Sequence, residues 1–221
     1  MNRTSIEFAD FTWNPITGCT YGCPWCWAKK FNDRYKMQYN FSVPEFHKER
    51  LNGKIPKLPK VRNYIAEEIS PDKPVIFTVD MGDIFSKGVD IIWIERVFEY
   101  IRNHTEANFL LLTKRPFSYF AWNDLITDNT FIGTSLDFAH NSKRVMAIRD
   151  MGRQTGRRTF INIEPLMSRM DQVDFSGIDF VIVGALTGRK YRPDPAWHKS
   201  INHPKIYYKK NYLIYFPELI K

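Results

Sequence analysis

The feature that most constrains this chain is a series of short apolar runs, rich in β-branched residues, that alternate with helical patterns. The runs are Val75-Ile-Phe-Thr-Val-Asp80, Phe109-Leu-Leu-Leu-Thr113, Phe131-Ile-Gly-Thr-Ser135, Thr159-Phe-Ile-Asn-Ile163, Phe180-Val-Ile-Val-Gly184 and Lys205-Ile-Tyr-Tyr208. Each is strand-sized and bounded by polar or turn residues, as buried parallel strands are. Between them, Val89 to Asn103 sets Ile91, Ile92, Ile94, Val97, Phe98 and Ile101 at helical spacing, and Ser142 to Met151 repeats the pattern with a basic outer face. Strand then helix, recurring at roughly 20–35 residues, predicts βαβ units. With a further strand near Glu7–Trp13, six or seven units fit into 221 residues. A complete eight-unit barrel takes about 250 residues. The expected fold is therefore α/β, a partial (β/α)6-type TIM barrel forming a single domain over 1–221. A doubly wound open sheet is the alternative.

In barrels of this kind the chemistry gathers at the carboxyl ends of the strands. Those ends are polar here: Asp80-Met-Gly-Asp83, Thr113-Lys-Arg-Pro116, then Thr134, Ser135 and Asp137, then Glu164-Pro165, then Gly184-Ala-Leu-Thr-Gly188 with Arg189, Lys190 and Arg192, then Lys209 and Lys210. Loops are often polar for solubility alone. One polar set at each strand end is harder to assign to solubility.

All three cysteines of the chain, Cys19, Cys23 and Cys26, lie in GCTYGCPWCWAKK with spacing C-x3-C-x2-C. Three thiolates this close can hold one metal centre and leave a coordination position open, whereas a structural site normally takes four ligands. A disulfide would strand the third thiol. The stretch MNRTSIEFADFTW has no apolar run of signal-peptide length, so a reducing, cytoplasmic setting is expected. Zinc would need a fourth ligand, and only His47 follows within reach.

The triplet, with aromatic Trp25 just before its last cysteine, resembles the signature of the radical SAM superfamily. That resemblance implies a [4Fe–4S] cluster on Cys19, Cys23 and Cys26 in a loop over 18–28. It also implies S-adenosylmethionine on the fourth iron, cleaved by one electron to a 5′-deoxyadenosyl radical that takes hydrogen from the substrate. The implied fold is the radical SAM partial barrel. Phe11-Thr-Trp-Asn-Pro-Ile-Thr-Gly-Cys19, Met81-Gly-Asp-Ile-Phe85, Leu112-Thr-Lys-Arg-Pro116, Ile163-Glu-Pro-Leu166 and Val181-Ile-Val-Gly184 with Arg192-Pro193 follow in order. Together they resemble a family of small, phage-associated radical-SAM-like conserved proteins. Two features differ from that family. Its members often have a longer gap between the first two cysteines, and they tend to carry Gly-Gly-Glu-Ser-Gly where this chain has Gly184-Ala-Leu-Thr-Gly188.

The resemblance places the turn for the methionine group, and the charge and polarity of the implied cofactor argue for the other roles. Met81, Gly82 and Asp83 would form the turn for the methionine amino group, with Gly82 allowing close backbone approach. Trp25 would lie beside the adenine. Lys114 or Arg115 would meet the carboxylate, Arg115 bidentately, and Ser135 and Asp137 the ribose. Glu164 and Lys114 are the candidate catalytic residues. Glu164 could instead be a strand-end charge paired with Arg169, and Arg115 an exposed charge before a helix-starting Pro116.

A net charge of +8 favours anionic partners. Between Lys29 and Arg62, ten Lys and Arg stand against three acids, interleaved with Phe31, Tyr35, Tyr39, Phe41 and Phe46. Further basic regions span Arg144 to Arg158 and Arg189 to Lys210. Cations track phosphates and aromatics stack on bases, although a basic solvated face has the same composition. A base inside a duplex would have to be flipped out to react. The expected substrate is a nucleobase in nucleic acid or a nucleotide, with rearrangement of a modified base in phage DNA as the specific form. A small anionic metabolite such as a deazapurine precursor is one alternative. A non-catalytic Fe–S or zinc protein that binds nucleic acid is another. The chemistry implies an electron donor of flavodoxin or ferredoxin type. No apolar stretch reaches the roughly 20 residues of a membrane span.

Overall fold

The computed structural model describes residues 1–37, 40–187 and 192–220. Expectations involving Tyr39, Gly188, Arg189 and Lys190 lie outside the described residues. The chain forms two compact units, Met1–Thr113 with Trp122–Phe131, and Lys114–Ala121 with Ile132–Lys221.

The first unit contains β1 (Asn2–Arg3), β2 (Phe11–Trp13), β3 (Ile16–Thr17), α1 (Trp27–Arg34), β4 (Glu45–Phe46), α2 (Tyr64–Ile69), β5 (Val75–Thr78), α3 (Ile91–Arg102) and β6 (Asn108–Thr113). Its main sheet runs β1-β2-β5-β6. β1 is antiparallel to β2, while β2, β5 and β6 are mutually parallel. β3 and β4 form a separate antiparallel pair. α3 begins where the Asp90 carboxylate accepts the Ile92 amide, which caps an orphan donor of the first turn. Its buried face is Ile94, Val97, Phe98, Tyr100 and Ile101, the helical spacing read from the sequence. Trp13 packs on Tyr100 and Phe109, with ring centroids 4.3 and 5.9 Å away.

The second unit contains β7 (Thr130–Ser135) from Ile132 onward, α4 (Lys143–Thr155), β8 (Thr159–Ile163), β9 (Phe180–Val183), α5 (Pro195–Lys199), β10 (Ile206–Tyr208) and α6 (Lys210–Leu213). Its strands run β7-β8-β9-β10, all parallel. α4 buries Val145, Ala147, Ile148 and Met151 and ends at Gly156, whose φ of +68° is the left-handed conformation that glycine adopts without penalty. A side chain at Gly133 would put its Cβ 2.4 Å from the Phe160 ring, so a larger residue there would displace that ring. Phe160 in turn stacks on Phe180, with centroids 5.5 Å apart.

Each expected apolar run contains a strand, and both helical patterns are helices. The strand expected near Glu7–Trp13 is confined to β2. The fold is α/β with mostly parallel strands. Doubly wound sheets reverse strand order at a switch point; within each unit the described strands run in sequence order without reversal. The pairs β1–β2 and β3–β4 and the short helices α1 and α2 were not anticipated. They are too short to show periodicity.

One cation of the basic stretch has a structural role. The Arg62 side chain is 4% exposed and pairs with the fully buried Asp10 at 2.7 Å. It also donates to the carbonyls of Ala66 and Ser70. Asp10 accepts the Val75 amide at the start of β5, so this pair ties the segment before α2 to the sheet. None of the described helices is long and apolar enough to cross a membrane.

Candidate functional site

The cysteine loop follows β3 of the separate antiparallel pair and is fixed mainly by backbone hydrogen bonds. The Gly18 amide donates to the Met81 carbonyl (2.9 Å) and the Cys19 amide to the Phe41 carbonyl (2.7 Å). Gly18 and Gly82 form an isolated parallel bridge. A Cβ on Gly18 would sit 2.4 Å from the Val43 carbonyl oxygen, and φ there is +87°. A Cβ on Gly82 would sit 2.8 Å from the Gly18 carbonyl oxygen. The close approach expected at Gly82 is therefore made to the cysteine loop itself. Ser86 Oγ accepts the Thr20 amide at 2.9 Å and completes the clamp.

The three cysteines are half-buried thiols, none of them in a disulfide. Cys19 and Cys26 pack against one cluster of Ala28, Phe41 and Met81. The Cys26 amide donates to the Cys23 carbonyl across a turn that contains half-buried Trp25. Cys26 is the N-cap of α1, and its Sγ accepts the Lys29 amide at 3.3 Å, a helix end that suits a negatively charged sulfur. Burial pushes the Cys19 thiol up to about 11; the Tyr21 amide acts against this, while the Asp83 charge adds to it. Among the described residues no three His, Cys, Asp or Glu side chains converge as a single ion would require. A cubane cluster takes each thiolate on a separate iron, so it needs a wider triangle. The donor set, three thiols on one clamped loop, fits a three-cysteine cluster. His47 is engaged elsewhere, its Nε2 lying 2.8 Å from Thr17 Oγ1.

Asp83 is buried, and its Oδ1 accepts from Thr113 Oγ1 (2.7 Å) and the Phe85 amide (3.0 Å), which fixes the turn after β5. Asn14 is a residue that sequence reasoning missed. Its Oδ1 accepts the Met81 amide and its Nδ2 donates to Asp80, so it aligns the turn from the end of β2. Burial pushes the Asp80 carboxyl up to about 6 despite the Asn14 hydrogen bond. Asp80, Asn14, Arg50, Trp27, Phe31 and Met81 line part of a cavity of about 460 Å³ within this unit.

The second unit gathers two charged clusters. Asp137 accepts from Lys114 Nζ (3.2 Å) and from Asn141 (2.9 Å), and Arg144 lies 3.7 Å away. Burial alone would raise this carboxyl, but the Lys114 and Arg144 charges and the Lys114 hydrogen bond hold it below the usual carboxylate range. Arg144 also donates to the Ser135 carbonyl. Lys114, Ser135 and Asp137 are thus brought together, with Arg144 as the unanticipated member. Arg115 is exposed and precedes Pro116. In the second cluster, Glu164 accepts from Lys209 Nζ with both oxygens (2.8 and 2.9 Å) and from Asn211 (3.1 Å). A Cβ on Gly184 would fall 2.7 Å from the Glu164 carboxyl carbon, so the glycine leaves room for that side chain. Arg169 instead pairs with Asp171. Lys209 was legible as a strand-end cation. Nothing in the sequence singled out Asn211.

A family described as "Protein of unknown function (DUF5131)" matches residues 3–212. Among solved structures, spore photoproduct lyase complexed with dinucleoside spore photoproduct is similar in fold. It has a TM-score of 0.55 and 11% identity, over 83% of this chain and 58% of that one. A mutant form of the same lyase with the dinucleoside photoproduct gives a TM-score of 0.57 and 12% identity, over 98% and 63%. The chain therefore spans about three-fifths of the lyase's length. No curated protein matches.

Proposed function

We propose that this chain, which belongs to the DUF5131 family, is a radical SAM enzyme acting on a nucleobase-type substrate. In this reading Cys19, Cys23 and Cys26 hold a [4Fe–4S] cluster and S-adenosylmethionine binds beside it, within one radical SAM domain. The observation that carries the reading is the triplet of thiols on a loop clamped to the turn after β5 by the Gly18–Gly82 bridge. The likeness of fold to a lyase complexed with a dinucleoside photoproduct, together with the basic composition, supports a base in DNA as the substrate class. The resemblance to small phage-associated proteins supports rearrangement of a modified base in phage DNA.

When bound, the cofactors would supply one-electron cleavage of a carbon–sulfur bond and abstraction of hydrogen from the substrate. The chain's own residues bind and orient. The Met81–Asp83 turn, aligned by Asn14 and Thr113, would offer acceptors to an amino group. Trp25 would cover the adenine. Lys114, the exposed Arg115, Ser135 and Asp137 would receive carboxylate and ribose groups, so a ligand carboxylate must compete with Asp137 for Lys114. Glu164, held by Lys209 and Asn211, would accept a hydrogen bond or a proton from the substrate. The electron would come from a flavodoxin- or ferredoxin-type donor.

Anaerobic reconstitution should give about four iron atoms per chain, and addition of S-adenosylmethionine and a strong reductant should release 5′-deoxyadenosine. Cys23→Ala should lose both. One zinc per chain, with no cofactor cleavage by the wild type, would refute the reading.

A further inference from the structure

Helix α1 and its C-cap residue Tyr35 carry three aromatic side chains on one solvent face. Trp27, Phe31 and Tyr35, four residues apart, are 42%, 42% and 61% exposed. Their rings form a ladder, with centroids 6.4 Å apart for Trp27–Phe31 and 4.5 Å for Phe31–Tyr35. Single exposed aromatics need no explanation, but a contiguous ladder on a short helix marks a contact surface. The cations around it are exposed: Lys30, Arg34 and Lys36, with the Arg34 guanidinium 5.9 Å from the Tyr35 ring centre. The ladder leads into the cavity of about 460 Å³, whose wall includes Trp27 and Phe31 and also Asn14 and Asp80. That volume falls within the roughly 300–1,000 Å³ of small-molecule sites.

Rings in series, cations beside them and a cavity with a polar wall match one kind of partner. An acidic peptide would account for the cations but not for the ladder. A membrane surface would not account for a cavity whose wall carries Asn14, Asp80 and Arg50. Nucleic acid with exposed base faces accounts for all three. We propose that this face of α1 is the docking platform for a single-stranded nucleic acid. Trp27, Phe31 and Tyr35 stack on bases, Lys30, Arg34 and Lys36 meet phosphates, and one base enters the cavity, where Asn14 and Asp80 meet its polar edge. The inference rests on the reading of the substrate as a nucleobase, but its test does not need the reaction.

The test is fluorescence anisotropy on the reconstituted full chain, without reductant, using a fluorescein-labelled single-stranded oligothymidylate of about twelve nucleotides. Phe31→Ala and Tyr35→Ala should each weaken binding about five- to 140-fold, the range for removal of one stacking partner. Phe31→Tyr should retain binding. Lys30→Ala with Arg34→Ala should flatten the salt dependence by roughly 0.7 for each phosphate no longer neutralised. Should Phe31→Ala melt early, Tyr35→Ala at the most exposed rung carries the test. Equal affinity for a blunt duplex of the same length would overturn the platform, as would unchanged affinity in both alanine variants. Displacement of the oligonucleotide by S-adenosylmethionine alone would assign the cavity to the cofactor and overturn its part in base binding. Release of 5′-deoxyadenosine by the wild-type chain without nucleic acid tests the radical SAM reading separately, so failure of the platform and failure of that reading give different results.

Discussion

The cysteine loop and the charged clusters of the second unit treat buried polar groups in opposite ways. The loop is held by glycine geometry and backbone hydrogen bonds. Burial dominates there, and both Cys19 and the neighbouring Asp80 are pushed up. In the second unit Asp137 is met by Lys114 and Arg144, and Glu164 by Lys209 and Asn211. In the first region hydrogen bonds from Asn14 and the Tyr21 amide only partly offset burial, whereas in the second region the cations more than offset it at Asp137. A ligand can therefore add to the first region directly, but must displace an internal partner in the second.

The strongest way to break this contrast is Gly18→Ala. A left-handed φ and a Cβ 2.4 Å from a carbonyl oxygen leave the side chain no space. The expected loss is about 3–4 kcal/mol by urea denaturation, with iron loading reduced in parallel. Unchanged stability would mean that the glycine clamp does not hold the loop. Next in size is Lys209→Met, which leaves the Glu164 carboxylate in a half-buried setting without its cation. About 2–3 kcal/mol should be lost, and a double-mutant cycle with Glu164→Gln should recover a coupling of about 1–2 kcal/mol. A cycle that sums to zero would remove the idea of internal compensation.

A pH titration of stability sharpens the comparison further. The Asp80 carboxyl, raised from 3.8 to about 6, holds its proton more tightly in the folded chain. Its contribution is fully present below about pH 4 and is lost as pH rises through 6, so Asp80→Asn should flatten that slope and gain about 1–2 kcal/mol at pH 7. Asp137 has the opposite sign. Its folded value is depressed, so its contribution is present above about pH 4 and disappears as pH falls through the lowered value. Asp137→Asn should remove that acid-side slope. Parallel slopes from both carboxyls would contradict the contrast. The smallest effect is expected at the exposed Arg169–Asp171 pair, where Arg169→Ala should leave the melting temperature unchanged within error.

Much of the fold was legible because buried parallel strands are written as apolar runs and α3 and α4 as stripes. The Asp10–Arg62 pair was not, since a cation in a basic stretch reads as solvated until its neighbours are known. The cysteines were equally legible, because three thiols at fixed short spacing share a loop in any fold. The remaining site residues were legible as polar strand ends but not as partners. Lys209 and Glu164 are 45 residues apart in sequence, and no local pattern marks Asn14 or Asn211 as the residues that orient their neighbours.

By itself the sequence determined what depends on local order: the strand and helix succession, the thiol spacing on one loop, and the aromatic–basic composition after it. Tertiary structure decided what depends on distance in space. It set Gly82 against Gly18, gave Glu164 to Lys209 rather than Arg169, and turned Arg62 inward to Asp10. The physical reason is range. Periodicity and chain geometry act over a few residues, whereas burial and charge pairing depend on which side chains the folded chain brings together.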